Sequence, residues 1–415
     1  MGEGGNVRKF YGWRVVGAAF VLAVFGWGFG FYGPPIYLHA VVQRTGWPIA
    51  LVSGAVTCHF LVGAAVVANL PALYRRFGLP LTTTVGAAAL GAGAVGWAIA
   101  TAPWQLFAAA ALSGAGWAHM GGAAVNAIVA PWFTRTRPAA LSMAFNGASI
   151  GGVIFSPLWV ALIAQIGFGA AAIAIGITMV IAIGLLAWLV FARRPEHAPD
   201  DPPGTSVTNG SAGRRRALPG PLLWHDWRFL TLAAGMALGL FAQIGLVAHL
   251  FSLLEPALGQ QGAGLAMAAA TACAIAGRTL VGWLMRPDAD RRLISCLCYA
   301  VQVAGSLILV AAAGQDIALL LAGVVLFGLG IGNATSLPPL IAQVEFAGED
   351  VPRVVSLIVA LSQASYAFAP AAFGAIRAAG PAPTSTGADA AALFFVVAAA
   401  IQLAAIAAFA AGRRQ

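Results

Sequence analysis

Uninterrupted runs of about 20 apolar residues recur along nearly the whole chain, and no other feature limits its possible folds so severely. A helix needs about 20 such residues to cross a bilayer, because lipid offers no partner for an unpaired backbone group. Twelve runs can be placed, near residues 12–33, 48–73, 79–101, 104–131, 138–164 and 168–192, then 227–250, 262–285, 293–313, 315–342, 353–377 and 388–411. A soluble reading fails on surface. Only 8% of residues are charged and 60% are hydrophobic, against roughly 25% charged in soluble domains. The expected fold class is an all-α membrane protein, with twelve transmembrane helices in two pseudo-symmetric six-helix bundles.

Domain organisation follows from the one long polar break. Residues 193–224 are rich in Pro, Gly, Ser and Asp and hold Arg214, Arg215 and Arg216. This composition predicts a flexible linker between an N-terminal bundle, 1–192, and a C-terminal bundle, 225–415. Trp13-Arg14 before the first run is echoed by Trp227-Arg228 before the seventh, and Phe133 and Pro157 by Phe346 and Pro370. Both echoes fall near one offset, as a duplicated six-helix unit requires.

Charge placement sets the expected orientation. With the N-terminus inside, nineteen of the 22 Lys and Arg residues fall on the inner side. Only Arg44 and Arg377 fall outside, and Arg278 lies within a run. Such a bias places both termini in the cytoplasm of a cell whose inner membrane holds the chain. The basic start (Arg8, Lys9, Arg14) precedes an apolar stretch too long for a signal peptide and without a small-residue cleavage site, so it reads as the first span. The net charge of +9 does not imply nucleic-acid binding, since the basic residues sit in short loops with no aromatic-interleaved face. Cys58, Cys273, Cys296 and Cys298 lie in or beside apolar runs at spacings that suit neither zinc nor a redox pair. No metal or cofactor is expected.

The segment Gly277-Arg278-Thr279-Leu280-Val281-Gly282-Trp283-Leu284-Met285-Arg286-Pro287-Asp288-Ala289-Asp290-Arg291-Arg292 resembles the GRxxxGxLxDRxxRR loop signature of the major facilitator superfamily. The corresponding loop of the first half, Leu73 to Gly78, keeps Arg75 and Arg76 but lacks the usual Asp. Within the superfamily, Trp132 to Leu141 followed by Asn146-Gly147-Ala148-Ser149-Ile150-Gly151-Gly152, with Gly33-Pro34-Pro35-Ile36-Tyr37, resembles the monocarboxylate and oxalate/formate branch. That resemblance implies a secondary transporter with no enzymatic activity, working by alternating access. It also implies a conformational gate at Arg75, Arg76, Asp288 and Arg291. The drug/proton antiporter motif of span 5 is absent. Export of a drug or metabolite is the alternative function, and it lacks the intramembrane acid that a cationic cargo usually needs.

The expected site is built around Arg278. A charge at the bilayer centre costs about 2.5–3.5 kcal/mol on insertion scales, and all thirteen acidic residues map to loops or span ends. A guanidinium fork matches a carboxylate bidentately, so an unpaired internal Arg points to a small anionic cargo. The rival reading is that Arg278 snorkels to the interface or braces backbone carbonyls. The branch resemblance favours the first reading, because that branch places a substrate-binding Arg in span 8.

Where some relatives carry an acid one turn before this Arg, the chain has Ala274. A co-transported proton would then need another carrier, and His119 and His59 are the candidates. Tyr32, Asn126, Asn146, Gln243, Gln363 and Tyr366 are candidate cavity-lining groups, with His119 and Asn126 placed on one helical face by their spacing. Trp27, Phe31 and Trp117 are candidate apolar contacts. The other reading of each is interhelical packing. The expected partners are a small anion, protons and the lipid bilayer, with the chain acting as a monomer.

Overall fold

Proline and glycine punctuation divides the apolar runs into fourteen α-helices among the described residues. A computed structural model describes residues 11–133, 137–193, 220–285, 289–347, 350–379 and 388–414. Its helices are α1 (Gly12–Gly30), α2 (Gly33–Thr45), α3 (Ile49–Phe77), α4 (Leu79–Ile99), α5 (Pro103–Ala118), α6 (Gly122–Val129) and α7 (Arg137–Leu186). After the long break come α8 (Trp227–Leu284), α9 (Arg291–Ala311), α10 (Ile317–Ile331), α11 (Leu337–Glu345), α12 (Val351–Tyr366), α13 (Ala369–Ala379) and α14 (Ala388–Ala411). Every regular element among these residues is helical. Most of the segment assigned as linker, 194–219, lies outside the described residues, as does Asp288.

Eight of the helical stretches are long and apolar enough to cross a membrane. The 50-residue α7 and the 58-residue α8 each turn back at a glycine with positive φ, Gly167 (81°) and Gly259 (68°). A side chain in that backbone region costs about 1–2 kcal/mol, so these glycines are the points where one run becomes two crossings. Gly46 ends α2 with φ 69° and lies 213 positions before Gly259 (259 less 46), the offset of the sequence echoes. Other runs are broken rather than reversed. Pro34 and Pro35 restart the chain after Phe31-Tyr32, Gly121 separates α5 from α6, and Gly332 to Ser336 separate α10 from α11. Proline forces such breaks because it has no N–H and its ring meets the preceding turn.

Acidic side chains are spent at helix starts. Asp226, Asp290 and Asp316 accept the backbone N–H groups of Phe229, Leu293 and Leu319, capping α8, α9 and α10. Asp290 also takes an ion pair from Arg413. Partial burial pushes its carboxyl up, but the Leu293 N–H and Arg413 together hold it below the usual carboxylate range.

In the first half α1 packs on α7, and α5 lies against α3 and α4; in the second, α9 packs on α10 and α14, and α8 on α10, α12 and α14. Contacts between the halves run from α2 to α8, α3 to α13 and α7 to α8. The Ala371 N–H donates to Thr57 Oγ1 at 3.1 Å, and His39 meets the Phe251 ring edge-on at 5.0 Å. α2 and α13 are the parts of their spans farthest from the chain termini, so some of these contacts lie at the end opposite the termini, and the Gly152–Thr271 approach adds one at mid-span.

Candidate substrate site

Where the halves meet at mid-span, the α1–α2 break delivers Tyr32 to the second half. Its ring lies beside the Thr271 side chain of α8, both of them facing Gly152, and within electrostatic reach of Arg278, seven residues beyond Thr271. Gly152 of α7 completes the contact. A Cβ there would come within 2.6 Å of the Tyr32 ring and 2.7 Å of Thr271 Cγ2. Three elements thus converge on one small volume, and Arg278 borders it.

Arg278 is half-buried, and its Nε donates to the carbonyl of Gly332 at 2.8 Å. Beside it Asn333 Nδ2 donates to Gly277 O at 3.3 Å, tying α8 to the α10–α11 break. The approach is close because both positions are glycine: a Cβ on Gly277 would overlap the Leu329 backbone, and one on Gly332 the Ala274 backbone. The brace consumes one donor. The two terminal nitrogens of Arg278 make no hydrogen bond to the described residues, and neither ion pair among those residues includes it. The expected bracing of backbone carbonyls is therefore real, and it leaves the forked end of the guanidinium unused.

Aromatic rings extend from this point. Phe31 stands edge-on to Tyr32 at 5.0 Å, Phe60 lies 6.3 Å from Phe31, and Tyr366 of α12 lies 6.0 Å from Phe60 across the boundary between halves. Gln363 lies one turn before Tyr366 on the same helix. Trp27 and Trp117 pack edge-on at 4.9 Å, with Trp117 also filling the space beside Gly30.

Other expected site residues are placed elsewhere. His119 ends α5, and its Nδ1 donates to Ala115 O at 2.8 Å while its Cβ presses on Gly86 of α4. The shared face expected for His119 and Asn126 does not exist, because the helix stops between them at Met120-Gly121. His59 is 1% exposed; its Nε2 donates to Gly30 O at 2.9 Å, and its Nδ1 pairs with the Ser113 hydroxyl at 2.8 Å. Both histidines brace the first half internally. Asn126 and Asn146 are exposed on α6 and α7, and no described contact brings them to Arg278. Gln243 is buried with its Oε1 unpartnered. Of the gate residues, Arg291 Nη1 donates to Leu340 O at 2.6 Å, whereas Arg75 and Arg76 are exposed, with Arg76 over the Phe77 ring.

Two arginines were missed as internal groups. Arg292 is 2% exposed and makes a 2.6 Å ion pair with Glu345, with further bonds to Thr231 and to the Arg228 and Phe409 carbonyls. Arg377, assigned to the outer surface, lies among buried groups and donates to Ser252 Oγ at 2.6 Å. No local signal marks the burial of Arg377, because its partners His249 and Ser252 lie on α8.

Apolar, repeatedly broken helices that bring Tyr32, Thr271 and Arg278 together at mid-span fit a membrane carrier. The chain belongs to the major facilitator superfamily, whose sequence profile it matches over residues 18–370. No curated protein matches it in sequence. Among solved structures, a bacterial homolog of the human lysosomal transporter Spinster, inward-facing and unoccupied, superposes with a TM-score of 0.72 at 15% identity, covering 98% of each chain. Its occupied, inward-facing form gives 0.72 at 15% identity over 98% of this chain and 97% of that one. The nucleoside transporter NupG gives 0.70 at 12% identity over 98% of this chain and 99% of that one. At these identities the likeness establishes the fold. The protein is a multi-pass membrane transporter and not an enzyme.

Proposed function

We propose that this transporter carries a small organic anion, a monocarboxylate with an apolar body, by alternating access between units 1–192 and 225–415. Arg278 carries the reading: it is a fixed cation at the meeting of the halves, braced through Nε, with its terminal fork unbonded among the described residues. A carboxylate completes that fork with two charge-assisted hydrogen bonds, each worth about 1.5–3 kcal/mol. Tyr32 and Thr271 border the same volume, and the Phe31, Phe60 and Tyr366 rings offer the apolar wall. In this reading the chain sits in the inner membrane with its positive-rich end in the cytoplasm. Coupling is by proton symport or by exchange against a second anion.

Counterflow in proteoliposomes tests this. Liposomes preloaded with a small monocarboxylate are expected to accumulate the labelled acid, while a labelled nucleoside stays outside. Accumulation of the nucleoside with inert acids would overturn the reading. Dependence on internal anion separates exchange from symport. Gly152→Val would fill the space before Tyr32 and Thr271, and uptake is expected to fall at least about fivefold, as about 1–3 kcal/mol of overpacking implies. Gly17→Val, with nothing within 4 Å of its Cβ, should leave uptake unchanged. Because His119 and His59 are bonded inside the first half, His119→Asn is expected to keep the native pH profile of uptake. A displaced profile would restore His119 as a proton carrier.

A further inference from the structure

The closed end contains a second cationic cluster that the carboxylate reading does not use. His249 of α8 is fully buried. Its Nε2 lies 3.0 Å from the Pro370 carbonyl, and its Nδ1 lies 3.4 Å from Arg377 Nη1. A carbonyl only accepts and a guanidinium only donates. Nε2 therefore carries the proton and Nδ1 is bare. Arg377 is held in place by that lone pair and by Ser252 Oγ.

We infer that His249 is the proton-responsive element of the outer gate, and that this end closes only when its imidazole is neutral. An imidazolium would turn Nδ1 into a donor facing another donor, and place two like charges in contact within a buried site. Arg377 would then be expelled toward water. Its helix α13 is the one that seats on the first half: Gly374 lies against Ser53 and beside His249, and Ala371 donates to Thr57. A displaced Arg377 would occupy the space that α3 and α2 must enter to close. When the halves part at this end, water reaches the cluster and His249 can take up a proton as a solvated imidazole does. Acid outside thus holds the outer end open and slows each return.

Other groups face the cluster. His39 of α2 lies within electrostatic reach of both Glu255 and Arg377, with its Nε2 unpartnered. The Phe394 ring of α14 and Ser53 of α3 carry no titrating group. His39 is therefore the rival sensor, and the test separates the two.

The experiment uses spin labels on cysteines placed at Gln43 and Gln260, both exposed and on opposite halves of this end, in a background lacking the four native cysteines. Interlabel distances are read without cargo, so the outcome does not depend on what is transported. Between about pH 8 and pH 5 the open-to-closed ratio is expected to rise by up to about 30-fold, the shift that one solvated imidazole allows. His249→Gln should abolish the rise, Arg377→Gln should shrink it without abolishing it because burial alone still disfavours an imidazolium, and His39→Gln should keep it. A native protein whose distances ignore pH, or a response that survives His249→Gln, would overturn the inference. So would a response lost in His39→Gln alone.

Discussion

Replacing Arg278 by alanine is expected to weaken the apparent affinity for the transported acid by about 30-fold to several thousand-fold. That range converts the about 2–5 kcal/mol lost when one partner of a buried charged pair is removed. Arg278→Lys should recover only part of it, because a compact ammonium supplies the charge without the planar fork. The fold should survive the alanine change, since Asn333 still bridges to Gly277 when the bond from Arg278 to Gly332 is gone. Michaelis constants for proteoliposome uptake read the effect, with a thermal melt as the check on folding. An unchanged constant in a folded Arg278→Ala protein would remove this residue from the site.

Glu345→Gln is expected to be the most destabilising single change outside the cavity. Arg292 is 2% exposed and Glu345 is its only acidic partner among the described residues. Neutralising Glu345 leaves a buried cation uncompensated, at about 3–5 kcal/mol. The double variant Arg292→Met, Glu345→Leu should regain much of the loss, because apolar residues of similar volume often match a buried pair. Apparent Tm in detergent measures both. A Glu345→Gln protein melting with the native one would mean that the remaining bonds to Thr231, Arg228 and Phe409 suffice.

The apolar runs were enough to read an all-α membrane protein, because bilayer thickness leaves only helices of one length class. The breaks within spans were less legible. His119 and Asn126 looked like one face since periodicity assumes a continuous helix, and the Met120-Gly121-Gly122 segment that interrupts it is apolar and small, unlike a turn between spans. Arg278 stood out as the lone charge in an apolar run, whereas its approach to Tyr32 joins two residues far apart in sequence that no local pattern connects. Its bond to Gly332 could not be read, since it depends on two glycine-lined backbones touching 54 residues apart in sequence. The burial of Arg377 could not be read, because its partners His249 and Ser252 lie more than 120 residues away in sequence. The buried pairing of Arg292 with Glu345 was hidden because both residues sit at helix ends, where charges ordinarily face water.

The central claim is that a carboxylate completes the Arg278 fork, and a thermal-shift comparison of a small acid with its own amide tests it most directly. The two ligands share shape and differ in charge. The acid should raise the Tm of the native protein, the amide should not, and the rise should vanish in Arg278→Gln. Equal stabilisation by acid and amide, or a rise that persists in the variant, would contradict the account.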